Sequence, residues 1–320
     1  MSSATSADTA MSSASSAPAS ASGGGAPVTK PDKLTLALVP SSNGSTIMGS
    51  AKPLTDYLTH TLGIPVTASV TKDYPAAVEA IGADQAQIAF LPVLPMQQAV
   101  SRYGAIPALQ VVRAGKTTYH TQFFTNEPSK YCAATPAAAG KDGYLYCNGT
   151  GGKADGPAGL DSLKKIEKGT KIAFVELTSS SGYIFPALDL KNAGIDPASA
   201  VTPIFTNGHD KAVLAVYNGQ APVGVSFDDA RELVAKANPD VGKKLTVFAL
   251  SEEIPNDGVV VGKSIDPAFE KQISDAIVAF SKTTDGKKTL NDLYQITDFA
   301  PADPKSLDIV AQAAAKLGLN

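Results

Sequence analysis

The string in "ELTSSSGYIF" (residues 176–185) sets Ser179, Ser180 and Ser181 side by side, with a glycine directly behind. An apolar run precedes it and a helix-patterned segment follows, so the serines fall where a strand gives way to a helix. The first turn of a helix leaves backbone N–H groups unpaired and carries partial positive charge. Hydroxyls beside those groups, with Gly182 permitting close approach, make an anion site that needs no lysine. Capping alone requires one serine, and three exceed that need. "GHDKAVLAVYNG" repeats the arrangement, with His209 at a helix start where its ring can donate to an oxyanion. An exposed loop histidine is the plainer reading of His209 taken alone. "SFDDA" ends a strand with Asp228 and Asp229, which can cap the next helix or accept from a protonated ligand oxygen or an amine. Tyr74 in "TKDYPAAV" opens a helix after a strand, and either reaches a ligand or packs between lobes.

Other chemistries lack their residues. A triad of Ser181, His209 and an aspartate would want the G-x-S-x-G elbow, and "TSSSGY" has serine where the first glycine belongs. No G-x-x-x-x-G-K-[ST] loop occurs, and no G-x-G-x-x-G opens a helix. Cys132 and Cys147 flank a Gly-, Pro- and Ala-rich loop with no nearby histidine or third cysteine to complete a zinc set. A structural disulfide is the preferred reading over free thiols, and it favours an oxidising compartment. The expectation is a binding protein rather than an enzyme, with no cofactor and no metal.

The elements that position these residues follow an α/β alternation. Apolar runs at 34–39, 66–70, 88–91 and 108–113 read as strands, with helical patterns between them. After the Cys-bearing insert the alternation restarts with "KIAFVEL", "VTPIFT" and "PVGVSF". Two consecutive series of this kind suggest two lobes facing across a cleft, where ligands meet strand ends and helix N-termini. The expected division is 33–122 plus 247–320 for one lobe and 123–246 for the other.

The chain has 320 residues, 43% hydrophobic and 18% charged, with a formal charge of −3, which suits a large buried core. No basic run points to nucleic acid, and no segment approaches the roughly 20 apolar residues of a membrane span. Residues 1–32 are nearly all Ser, Ala, Thr, Gly and Pro, and read as a disordered tether.

With these stretches in view, the chain resembles the substrate-binding proteins of phosphonate, phosphite and phosphate-type ABC transporters, over roughly residues 33–319. "AKPLTDYLTHTLGIPVTASVTKDYPAAVEAI", "VVRAGKTTYHT", "KIAFVELTSSSGYIFPALDLKNAGID", "GHDKAVLAVYNGQAPVGVSFDDA" and "IPNDGVVV" carry the resemblance. It implies a two-lobed type II periplasmic-binding-protein fold closing over a small phosphorus oxyanion. Ser179, Ser180, Ser181 and His209 would hold the oxyanion, Tyr74 would come from the facing lobe, and Asp228 would accept from the ligand. It further implies an ABC permease as partner, an extracytoplasmic location, a lipid anchor as any membrane attachment, and a monomer. One departure stands out: "FLPVLPMQQAV" places Met96 where relatives carry a ligand-contacting tyrosine, so Met96 is expected at the ligand's other end. The same fold binding a thiamine phosphate or a non-phosphorus solute is the alternative, and a serine hydrolase the remote one.

Overall fold

Burial along a strand differs between the inside and the edge of the first sheet. Ile88–Leu91 and Gly258–Val261 are buried throughout, whereas Val66–Val70 alternates inward and outward. In a computed structural model, which describes residues 28–140, 142–151 and 156–319, these strands build two mixed sheets. The first runs in the order Asp298–Pro301, Ile106–Val112, Gly258–Val261, Ile88–Leu91, Leu34–Leu38, Val66–Val70. The second runs Thr202–Phe205, Lys171–Phe174, Val223–Phe227, Thr121–Thr125, Thr246–Leu250, Tyr144–Tyr146, Ala137–Ala139.

Both sheets repeat one plan. Three parallel strands lie in the order second, first, third, and the next strand is antiparallel, supplied by chain crossing from the other lobe. The crossings themselves pair as a short antiparallel ladder, Thr118–Tyr119 against Ile254–Pro255. The molecule is thus a two-lobed α/β protein with a two-stranded connection.

The lobe boundaries shift slightly from expectation. Thr121–Thr125 and Thr246–Leu250 pair with each other inside the second sheet, so residues 121–122 and 247–250 belong to the second lobe rather than the first. Both are buried at every position, and a uniformly buried strand carries no sign of which sheet it joins. The expected tether lies outside the described residues as far as residue 27. Residues 28–30 are docked: Val28 packs on the first lobe's core, and the Lys30 ammonium donates to the Leu62 carbonyl at 2.9 Å.

The helix Gly44–Leu62 starts at Asn43, whose side chain accepts from the N–H groups of Ser45 and Thr46, and buries Ile47, Leu54, Leu58 and Leu62. The final helix, Pro304–Lys316, packs on the helix Val93–Tyr103 of the first lobe and also touches Phe185–Asn192 of the second. There the Lys191 ammonium donates to the Lys316 carbonyl at 2.6 Å. Cys132 and Cys147 are joined as a disulfide with Cα atoms 5.7 Å apart, and the loop they close adds two strands to the edge of the second sheet.

Candidate functional site

After the strand Lys171–Phe174 the chain turns through Glu176 into a π-helical turn, Ser180–Ile184, which feeds the helix Phe185–Asn192. Ser179 is the N-cap, its oxygen accepting from the Gly182 N–H at 3.1 Å. Position 182 must be glycine, since a Cβ there would lie 2.4 Å from Val175 Cβ and 2.6 Å from Ser179 Oγ. The three serines are each 2% exposed or less, but their hydroxyls differ. Ser179 Oγ is engaged as a cap acceptor and retains its O–H to donate. Ser181 stands near Tyr119, whose phenol burial pushes up and Ser181 draws back down, and its carbonyl accepts from Thr121 Oγ1 at 3.2 Å. Ser180 Oγ is buried with no hydrogen-bond partner among the described residues.

A cavity of about 980 Å³ lies between the sheets and brings the serines together with Tyr74, His209 and Asp228. His209 opens the helix His209–Tyr217, and Ser226 Oγ lies 2.7 Å from its Nδ1. Burial pulls the imidazole down to about 4, so it is neutral at neutral pH and can offer one ring N–H. Its backbone N–H donates across the cleft to the Ser41 carbonyl at 2.9 Å. Tyr74 opens the helix Tyr74–Gly82 on the first lobe, its ring 1% exposed. Burial, and after it Glu176 and Asp257, push its phenol well up, which keeps it a donor. Asp228 follows the strand Val223–Phe227, is exposed and lines the cleft. Desolvation first, and Asp229 second, push it up to about 6.

Met96 is not in this constellation. It lies 5% exposed in the helix Val93–Tyr103, turned onto the first sheet, where a Cβ on Gly258 would meet its sulfur at 2.5 Å. Pro92, at the N-cap of that helix, lines the cleft instead. The expectation of Met96 as an apolar wall for the ligand is therefore corrected. The helix turns that position inward.

Among the cleft-lining residues that sequence reasoning did not single out are four that bond or pair around the site. Tyr119 comes from the crossing strand, and Arg113 and Asp257 pair at 2.6 Å behind it. Tyr294 donates its O–H to the Val39 carbonyl at 2.9 Å, and its own carbonyl accepts from Arg113 Nε at 2.9 Å. "VVRAGKTTYHT" and "IPNDGVVV" contain three of the four, but nothing local in those stretches marks them as cleft-facing. No group of histidine, cysteine or acidic residues suited to a metal occurs among the described residues.

Residues 36–307 match the family described as "ABC transporter, phosphonate, periplasmic substrate-binding protein". The chain is 27% identical over 227 residues to the "Phosphate-import protein PhnD" of Mycolicibacterium smegmatis, covering 68% of this chain and 63% of that protein. It is 23% identical over 233 residues to the "Phosphonates-binding periplasmic protein" of Escherichia coli, covering 72% of this chain and 61% of that one. The chain thus spans a little under two thirds of these relatives' lengths. Among solved structures, PhnD1 from Prochlorococcus marinus in complex with methylphosphonate superposes with a TM-score of 0.75 at 19% identity, over 91% of this chain and 100% of that one. The fold, the repeated sheet plan and the sequence match agree, and the chain belongs to the periplasmic substrate-binding protein family of phosphonate ABC transporters.

Proposed function

We propose that this protein binds a small phosphorus oxyanion between its lobes and delivers it to an ABC permease from an extracytoplasmic position. The observation that carries the reading is Ser180 Oγ, buried and unpartnered at a helix start inside the cleft. A buried hydroxyl without a partner costs free energy, and a phosphoryl oxygen is the acceptor that would relieve it. Ser179, Ser181 and the neutral His209 ring would add donors, and helix N–H groups would supply partial positive charge. Tyr74 would close the cage from the facing lobe. Asp228, ionised at neutral pH, would accept from a P–OH group or an amine.

The family assignment and the disulfide both support an extracytoplasmic site of action. A monomer belongs to the same proposal, with a lipid anchor as the means of any membrane attachment. A second reading concerns ligand size: about 980 Å³ exceeds what a bare oxyanion fills and favours an alkyl phosphonate or a phosphate ester. A hydrolase would need a histidine on a cradle serine, whereas the His209 Nδ1 meets Ser226 at 2.7 Å.

Thermal-shift screening against phosphate, phosphite, methylphosphonate, larger alkyl phosphonates and phosphate esters tests this reading. A ligand well above its dissociation constant raises the melting temperature. A panel without any response contradicts the proposal.

A further inference from the structure

Asp228 and Asp229 are chain neighbours with opposite surroundings. Asp229 is fully engaged. Its Oδ1 accepts from Arg231 N–H, Arg231 Nε and Gln122 Nε2 at 3.0, 3.0 and 3.1 Å, and its Oδ2 accepts from Arg231 Nη2 at 2.6 Å and the Tyr146 O–H at 2.8 Å. The Asp228 carboxylate makes no hydrogen bond within the described residues and lines the cleft.

The guanidinium responsible for this division is 0% exposed. It lies between two rings, 4.8 Å from the Tyr144 centroid and 4.6 Å from that of Tyr146. Its Nη1 donates to the carbonyls of Leu145 at 2.9 Å and Leu245 at 2.7 Å. Tyr144, Leu145 and Tyr146 form one short strand of the loop that the disulfide closes at Cys147. Gly242 completes the enclosure, since a Cβ there would stand 2.0 Å from the Tyr144 ring. The insert therefore holds an arginine that otherwise would be a buried charge without enough partners.

We propose that Arg231, gripped by the disulfide-clasped hairpin, is a positioning residue: it engages Asp229 wholly and leaves Asp228 as the carboxylate that meets the ligand's hydrogen-bearing group. The inference rests on the reading of Asp228 as a ligand acceptor. The charged and titratable groups acting on Asp228 are Asp229 and Glu232, which disfavour its ionised form, and His120 and Arg231, which favour it. Asp229 itself is held below the usual carboxylate range against its desolvation, Arg231 being the first stabiliser.

Carboxyl ¹³C NMR titration of the ligand-free full chain tests the division of labour without any ligand, and calorimetry with methylphosphonate and inorganic phosphate tests its consequence. The variants are Tyr144→Leu, which takes one ring off Arg231 and leaves the Tyr146 hydrogen bond to Asp229 in place, and Arg231→Lys, which keeps the charge. In the parent protein Asp228 is expected to titrate near pH 6 and Asp229 far below it. In both variants the Asp229 midpoint rises, and oxyanion affinity falls about tenfold with a folded, cooperatively melting protein. An Asp229 midpoint that stays fixed in both variants overturns the inference, as does an affinity unchanged within twofold. If the parent binds neither probe, the proposed function fails, and the NMR midpoints alone decide the role of Arg231.

Discussion

The carboxylate of Glu176, on the second lobe, accepts the backbone N–H of Tyr74, on the first, at 3.2 Å. Tyr74 is the first residue of its helix, so one lobe places an acidic group on the other's positive helix end. Thr178 Oγ1 steadies the second carboxylate oxygen at 2.6 Å. With the His209 N–H donating to the Ser41 carbonyl, these are hydrogen bonds that only a closed cleft can make.

Glu176→Ala is therefore expected to shift the ligand-free protein toward open conformers. Apparent affinity falls with the fraction of competent closed form, by about threefold to tenfold. Small-angle scattering of the ligand-free variant should show a larger radius of gyration than the parent. Identical scattering curves would contradict a latch role for Glu176.

The Ser180 hydroxyl proposed to meet the ligand contributes little to the empty fold. Ser180→Ala removes an unpartnered buried oxygen, so the ligand-free melting temperature should hold steady or rise slightly. Affinity for a phosphorus oxyanion should fall about tenfold, or about 1.4 kcal/mol. A variant that loses stability by more than about 1 kcal/mol without losing affinity would assign Ser180 to packing instead.

Asp228 predicts a pH dependence and a discrimination. Its carboxyl is pushed up to about 6, so it is an acceptor at pH 7 and gains a proton as pH falls toward 5. Methylphosphonate keeps a P–OH across that range, and on protonation Asp228 loses the charge that makes it the stronger acceptor. Affinity should therefore decline between pH 7 and pH 5, and Asp228→Asn should flatten the profile. His209, held near 4, stays neutral across most of this window and does not supply the effect. Methanesulfonate, which has no proton to donate, should be rejected by the parent and bind better to Asp228→Asn. Calorimetry at the two pH values checks both statements.

Asp189 offers a stability test away from the ligand. Its carboxyl is pushed up to about 7 by desolvation first and Glu252 second, and Oδ2 is buried without a partner. A carboxyl raised in the folded state contributes stability present below its unfolded value and lost as pH rises through the folded value. Asp189→Asn should thus be more stable than the parent at pH 8, by about 1–3 kcal/mol. The difference should vanish below about pH 4. Denaturant unfolding at pH 4 and pH 8 measures it, and equal stability at pH 8 would refute the reading.

Strand-to-helix junctions were legible because apolar runs and helical spacing are local signals. Ser179, Ser180, Ser181, His209, Asp228 and Tyr74, each at such a junction, line one cleft. Met96 was not legible, because resemblance aligns a position but does not fix which face of a helix it occupies. Arg113, Asp257 and Tyr294 meet across separations of 144 and 181 residues, and no local pattern encodes such contacts. The boundary strands Thr121–Thr125 and Thr246–Leu250 escaped for a related reason: a strand buried on both faces shows no alternation to reveal its neighbours.

The central claim is that an oxyanion sits on the serine cradle at the start of the Ser180–Ile184 turn. Calorimetric titration of the parent, Ser180→Ala and Ser181→Ala with methylphosphonate and phosphate tests it most directly. The parent should bind at least one probe saturably, one to one, with affinity weakened about tenfold or more in each variant. Equal affinity in all three proteins, or no binding by the parent to either probe, would contradict it.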